Sequence, residues 1–218
     1  MHTALNGLRP ALHELIAQLA LEVPETHVDA LLTYLALLQR WNATYNLTAV
    51  REPAQMLTQH LADCLAVIGP LRRERGRGPF RLVDVGSGGG LPGVVIAILE
   101  PAVDVTCVDT VGKKAAFIRQ VAGELRLGNL RAEHSRVEQM KSGSFDVVTS
   151  RAFASLPDFI RLTGKHLAPA GVWMAMKGKK PLDELAHLSD TVDVFHVEPI
   201  AVPGLDAERC IVWMRPKR

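Results

Sequence analysis

Arg81-Leu82-Val83-Asp84-Val85-Gly86-Ser87-Gly88-Gly89-Gly90-Leu91-Pro92-Gly93 is the stretch that decides how this chain folds. A short apolar run breaks into a glycine-rich turn, and the turn opens a second apolar segment, Val94 to Leu99. Strand, glycine turn and helix in that order let a bound nucleotide approach bare backbone N–H groups at a helix N-terminus. The next apolar run, Val103 to Val108, ends in a second acid, Asp109, placed downstream where a ribose-binding carboxylate is expected. These residues predict a nucleoside-like cofactor and leave its identity open.

Downstream of the loop, short β-branched runs alternate with helical ones. The predicted strands are Arg81–Val85, Asp104–Asp109, Leu130–His134, Phe145–Ser150, Gly171–Lys177, Val192–Val197 and Cys210–Met214, with helices over 92–99, 112–126, 155–167 and 181–189. That alternation predicts an α/β fold: a doubly wound, mostly parallel seven-stranded sheet with helices on both faces. Between the last two runs lie only Glu198 to Arg209, with Pro199, Pro203 and Gly204, so those two strands are expected to pair antiparallel at one edge. Upstream, Leu8, Leu12, Leu15, Ile16 and Leu19 recur at helical spacing, as do Val28, Leu31, Leu32, Leu35 and Leu38, with Thr26 as cap of the second segment. A third helix follows Pro53. The expected organisation is a helical lobe over 1–70, a basic breaker-rich linker over 71–79, and a cofactor-binding domain over 80–218.

At 218 residues and 48% hydrophobic content, the chain can bury one substantial core. Its formal charge of +2 is too small to name a polyanionic partner. Cys64, Cys107 and Cys210 are odd in number, lack metal-ligand spacing and sit among apolar residues, which reads as buried reduced thiols. The opening residues show no basic and apolar export pattern, and no apolar run approaches the ~20 residues of a membrane span. A cytoplasmic protein with no metal and no membrane is the expectation; a monomer suffices.

The glycine loop can be read in two registers. Gly88-x-Gly90-x-x-Gly93 with Asp109 fits a dinucleotide fingerprint, but that motif wants its first glycine directly after the strand. Starting at Gly86 instead places Asp84 inside the strand end and all three turn glycines, Gly86, Gly88 and Gly90, in the loop. This second register resembles the class I S-adenosylmethionine-dependent methyltransferases, a Rossmann-like fold. The distinction is physical: a diphosphate needs N–H groups and a helix dipole, whereas a methionine ammonium is attracted by an acidic strand end.

Further segments share a family pattern. They are Trp41-Asn42-x-x-Tyr45-Asn46-Leu47-Thr48, Gln59-His60-Leu61-Ala62-Asp63-Cys64-Leu65, Gly112-Lys113-Lys114, Ser135-Arg136-Val137-Glu138, Ser150-Arg151-Ala152-Phe153-Ala154 and Met176-Lys177-Gly178. With the glycine loop they resemble, in order and over most of the chain, the bacterial 16S ribosomal RNA methyltransferase G family, also called glucose-inhibited division protein B. The resemblance implies S-adenosyl-L-methionine as cofactor, 16S ribosomal RNA or the small-subunit particle as partner, and guanine N7 in the 530 loop as target. Carried over by position, it places Gly86 and Leu91 in the cofactor pocket, Val137 and Glu138 near the adenine, and Arg151 where methyl and base meet. Lys113, Arg136 and Lys177 match the family's other basic positions, here expected to hold RNA. Cys64 stands where the family often has serine, a near-isosteric change.

The chemistry agrees with what is missing. Guanine N7 carries an in-plane lone pair and needs no general base, and the chain has neither an Asn/Asp-Pro-Pro-aromatic segment nor a Pro-Cys nucleophile. Catalysis then reduces to positioning. Arg151 is expected to orient base or cofactor, since arginine suits the O6/N7 edge but must leave N7 free. His60 and Asp63, one helical turn apart, are expected to form a structural hydrogen-bond pair. Trp41 and Tyr45 could stack on a flipped base or anchor the core. Three basic clusters, Arg72/Arg73/Arg75/Arg77, Lys177/Lys179/Lys180 and Arg215/Lys217/Arg218, are candidates for an RNA footprint. Another RNA or small-molecule methyltransferase on this fold, or a non-catalytic nucleotide- or RNA-binding module, remains the alternative.

Overall fold

A computed structural model describes residues 7–141 and 143–217; Arg218 of the last basic cluster lies outside them. Strands β1 (Arg81–Val85), β2 (Asp104–Asp109), β3 (Leu130–His134), β4 (Phe145–Arg151), β5 (Leu167–Lys177), β6 (Val192–Pro199) and β7 (Cys210–Pro216) form one sheet, in the order β3-β2-β1-β4-β5-β7-β6. β1 to β5 pair in parallel. β7 slots between β5 and β6, antiparallel to both, so the antiparallel pair at the edge is as expected and β6 regains the direction of the others. The chain steps from β1 one way to β2 and β3, then returns to β4 on the other side. That reversal leaves a crevice above the carboxyl ends of β1 and β4, the place where open α/β sheets hold ligands.

Helices flank the sheet: α1 (Arg9–Gln18), α2 (Glu25–Tyr45), α3 (53–65), α4 (Ile68–Arg75), α5 (Gly93–Leu99), α6 (Gly112–Glu124), α7 (Leu156–Thr163) and α8 (Leu182–Ala186). α2 starts at Glu25, ahead of Thr26, with Pro24 at its cap. Proline suits a helix start because its fixed φ is already right and its missing N–H would be unpaired there anyway. α3 widens into a π turn over Leu57–Ala62, and this holds His60 and Asp63 at the top of the sheet. All four helices after the glycine loop are shorter than their periodicity suggested, α7 and α8 the most. α7 gives way to a 3₁₀ turn, Gly164–His166, and β5 then begins at Leu167 rather than Gly171.

The helical N-terminal residues do not form a separate body. Leu12, Val28, Leu31, Leu35 and Leu61 share one buried cluster with Val94 to Leu99, Val105, Met174 and Trp213. Val83 and Val85 point to the opposite face, against Leu156, Phe159 and Trp173. Strand alternation therefore turns Asp84 toward the helical lobe.

The stretch read as a linker is corrected by the same packing. Residues up to Arg75 are helix α4. Its arginines are engaged with carboxylates of the same chain, Arg72 Nε on Glu100 at 2.7 Å, Arg73 on Glu198 and Arg75 on Asp146 at 3.5 Å, and Arg77, just beyond the helix, stands 3.8 Å from the exposed Glu22. Asp146, at the start of β4, also takes the Arg81 N–H at 2.8 Å, so this end of α4 lies at the foot of the sheet, away from the crevice. Arg215 is likewise bound to Asp193 at 2.8 Å near the start of β6 and covers the Phe195 ring. Of the three basic clusters, only Lys177 with the exposed Lys179 and Lys180 stands at the crevice end.

Candidate active site

The loop after β1 is held open by its own backbone. Gly86, Gly88 and Gly90 have φ of +67°, +57° and +85°, the left-handed region in which a side chain is strained. Gly86 N–H donates to Val108 O at 2.9 Å and Gly90 N–H to Ser87 O at 2.7 Å. From the helical lobe, Tyr34 Oη donates to Gly89 O at 2.7 Å, a buried tie that no sequence signal announced. At Gly86 a Cβ would come within 2.6 Å of the Phe153 ring, so the aromatic lies directly on this glycine.

Asp84 occupies a different place from the one expected. It is fully buried and lines neither of the two cavities over the loop; its Oδ2 accepts from Gly93 N–H at 2.9 Å, while its Oδ1 has no partner. Burial pushes its carboxyl up to about 7. Asp84 thus pins the loop's far end from beneath. Gly93 permits this, since a Cβ there would stand 2.4 Å from Cys107 Sγ and 2.9 Å from Asp84 Oδ2. Asp109 pins the near end: its Oδ2 accepts from Gly88 N–H and its Oδ1 from Val111 N–H, both at 2.9 Å, with Lys114 Nζ at 3.7 Å.

Two cavities meet over this loop. The larger, of about 530 Å³, is lined among others by Gly88, Leu91, Asp63, Arg151, Lys177 and Arg209. The smaller, of about 220 Å³, is lined by Asp109, Ser135, Val137 and Phe153 among others. Gly86 and Ala152 belong to both. The loop glycines, Leu91, Asp109, Val137, Arg151 and Lys177 are therefore brought together, whereas Glu138, Lys113 and Arg136 are not. Glu138 is exposed on the short turn after β3, and Lys113 donates to Tyr45 O at 2.7 Å outside both cavities. Arg136 is exposed.

The wall of the larger cavity is a fork of two arginines on one acid. Arg151 Nη1 reaches Asp63 Oδ2 at 3.1 Å, and Arg209 Nε reaches Asp63 Oδ1 at 2.9 Å. His60 bonds not to Asp63 but to Thr48 Oγ1, at 2.6 Å, so the expected pair is split into two separate ties. Lys177 is matched by Glu184 at 2.8 Å and also donates to Ala154 O. Arg209 sits in the irregular segment before β7, and no spacing could have found it. Phe153 was within reach, being part of a quoted motif. Trp41 is a core anchor: its ring is 5.5 Å from Phe117 and its Nε1 donates to Gln120. The three cysteines are free and buried, and burial raises the Cys64 and Cys107 thiols, which suits inert packing. Among the described residues no cluster of His, Cys, Asp and Glu is placed to hold a metal ion.

The fold alone resembles solved structures: TrmN from Thermus thermophilus superposes with a TM-score of 0.57 at 17% identity, over 74% of this chain and 53% of that one. Sequence comparison goes further. Residues 27–212 match the model of the family described as rRNA small subunit methyltransferase G. The chain belongs to that family. Within it, the ribosomal RNA small subunit methyltransferase G of Leptothrix cholodnii is 63% identical over 193 residues, 88% of each chain. The protein of the same name from Methylibium petroleiphilum is 60% identical over 212 residues, covering 97% of this chain and 96% of that one. Membership carries S-adenosylmethionine as cofactor, and the site fits such a group. Gly86 lies in the lining of both cavities with no side chain in the way, Asp109 stands in the smaller one and Arg151 in the larger, a lining that suits a close-lying nucleoside with a charged end.

Proposed function

We propose that this chain transfers a methyl group to guanine N7 in the 530 loop of 16S ribosomal RNA, free or in the small-subunit particle, acting as a cytoplasmic monomer. The observation that carries the reading is the joint between the two cavities. One cavity offers Asp109 and Val137 for a nucleoside, the other offers two arginines for an acceptor, and they touch only across Gly86 and Ala152. S-Adenosylmethionine, when bound, supplies a sulfonium methyl: the N7 lone pair forms the new N–C bond, the S–C pair stays on sulfur, and the positive charge ends on the purine.

The residues then have distinct tasks. Asp109 and Val137 hold the nucleoside side, with Val137 giving it an apolar wall. Gly86, Gly88 and Leu91 shape the floor at the joint, and Asp84 keeps that floor in register from below. Arg151, with N–H groups to spare beyond its Asp63 bond, orients the acceptor and keeps water ordered away from it. No proton needs to move before transfer, which agrees with the lack of a free base on this wall: Asp63 is doubly engaged and Glu184 is bound to Lys177. Lys179 and Lys180, exposed beside Lys177 at the rim, would meet backbone phosphates, making binding salt-dependent.

Mass mapping of methylated nucleotides in small-subunit RNA, with and without the protein, tests the reading. A single N7-methylguanosine in the 530 loop is the expected product; transfer to another base or to a small molecule instead would defeat it. Gly86→Asp fills the joint and collides with Phe153. It should lower affinity for S-adenosylmethionine by at least about a hundredfold, read by calorimetry, since strain and lost space act together.

A further inference from the structure

Asp63 stands out among the groups the mechanism leaves unassigned. Its side chain is only 3% exposed and follows directly on the π turn of α3. It takes one guanidinium on each oxygen: Arg151 from the end of β4, and Arg209 from the segment leading into β7. All three side chains line the larger cavity. The other cations lining the two cavities are matched singly, Lys177 by Glu184 and Lys114 by Asp109. The fork is therefore two positive groups on one negative, an excess of one positive charge on the wall facing the acceptor.

That excess matters for a reaction that leaves positive charge on the purine. A cation at this wall opposes the charge as it arrives, and a carboxylate favours it, the more so in a site shielded from water. His60 adds no third cation at neutral pH, because burial and the charge of Arg151 hold its imidazole below the ordinary range.

We propose that Asp63 is a positioning residue that clamps Arg151 and Arg209 edge-on to the cavity wall and offsets one of their charges. Their remaining N–H groups then hold the acceptor without raising the cost of charging it. The inference rests on the guanine-N7 reading above. Asp63 itself touches no substrate and acts through the two arginines.

Asp63→Asn keeps the shape and removes the charge. At saturating cofactor, with small-subunit particles as substrate, kcat should fall about thirtyfold, while thermal melting followed by circular dichroism shows a folded protein. Adding Arg209→Met to Asp63→Asn returns the fork to a single positive charge. In that double variant kcat should recover about tenfold over Asp63→Asn while KM for particles stays raised, a split that a purely structural role would not give. A kcat for Asp63→Asn within threefold of the wild type would overturn the proposal, as would a double variant slower than Asp63→Asn. If Asp63→Asn does not fold, Asp63→Glu decides: a folded Glu variant should keep kcat within about tenfold, and a thirtyfold loss counts against the clamp. Wild-type protein run in parallel separates the two ideas. Absence of N7-methylguanosine there fails the functional reading, whereas normal product beside either adverse result fails the clamp alone.

Discussion

Arg72, Arg73, Arg75 and Arg77 stand almost side by side in the chain, whereas Arg151 and Arg209 are far apart in it, and both groups meet carboxylates. The first group does so along α4 and at the foot of the sheet, on Glu100, Glu198, Asp146 and Glu22. The second shares a single acid, Asp63, at the crevice. Density of charge in the sequence therefore points to the wrong arginines. What separates them is the arithmetic of partners: matched pairs at the foot leave no charge to offer, while two guanidiniums on one carboxylate keep N–H groups and charge for a ligand.

The largest effect should come from the crevice. Arg151→Gln leaves Asp63 held by Arg209, so the fold should persist while kcat/KM falls by a hundredfold or more, measured on small-subunit particles. If activity survives, the two groups are less different than their geometry makes them. At the foot, Arg72→Ala strips a partner from Glu100, whose side chain is 8% exposed, and a buried acid left alone is costly. A loss of about 3 kcal/mol in urea unfolding is expected, with kcat unchanged at a temperature where the variant is folded.

Asp84 is a third case, a buried acid with no cation bonded to it. Its carboxyl is pushed up to about 7, above the unfolded value, so folding is favoured with the proton on and that advantage fades as pH rises through about 7. Melting temperatures of Asp84→Asn and wild type, compared at pH 5 and pH 8, should shift relative to each other by on the order of 5 °C in favour of Asn at the higher pH. An unchanged difference would mean that Asp84 does not titrate in this range. The smallest effect belongs to Arg77→Ala: its 3.8 Å approach to an exposed Glu22 should contribute less than about 1 kcal/mol, and RNA affinity should not move.

Periodicity made the seven strands, a mostly parallel sheet and the antiparallel pair at its edge legible, because apolar alternation and β-branched runs are local properties. It overextended α7 because Leu167 and Ala168 satisfy a helical pattern as readily as a strand; pairing with β4 decided for the strand. The family motifs led to Arg151 and Lys177, which line the cavity, and also to Glu138 and Arg136, which face solvent there. Asp84 was found by its spacing, but whether it faces the ligand or lies beneath the loop depends on which way the strand is turned.

By itself the sequence determined the order of elements, the glycine loop that only left-handed backbone can make, and the family to which the chain belongs. Those rest on neighbours within a few residues or on a pattern read in order. The tertiary structure alone decided that Arg209 joins Arg151 on Asp63, that Phe153 covers Gly86, and that Arg72 and Arg75 of α4 are spent at the far end of the sheet. Each of those is a meeting of side chains from distant segments, and which charges meet depends on the packing of helix against sheet, a quantity no local spacing carries.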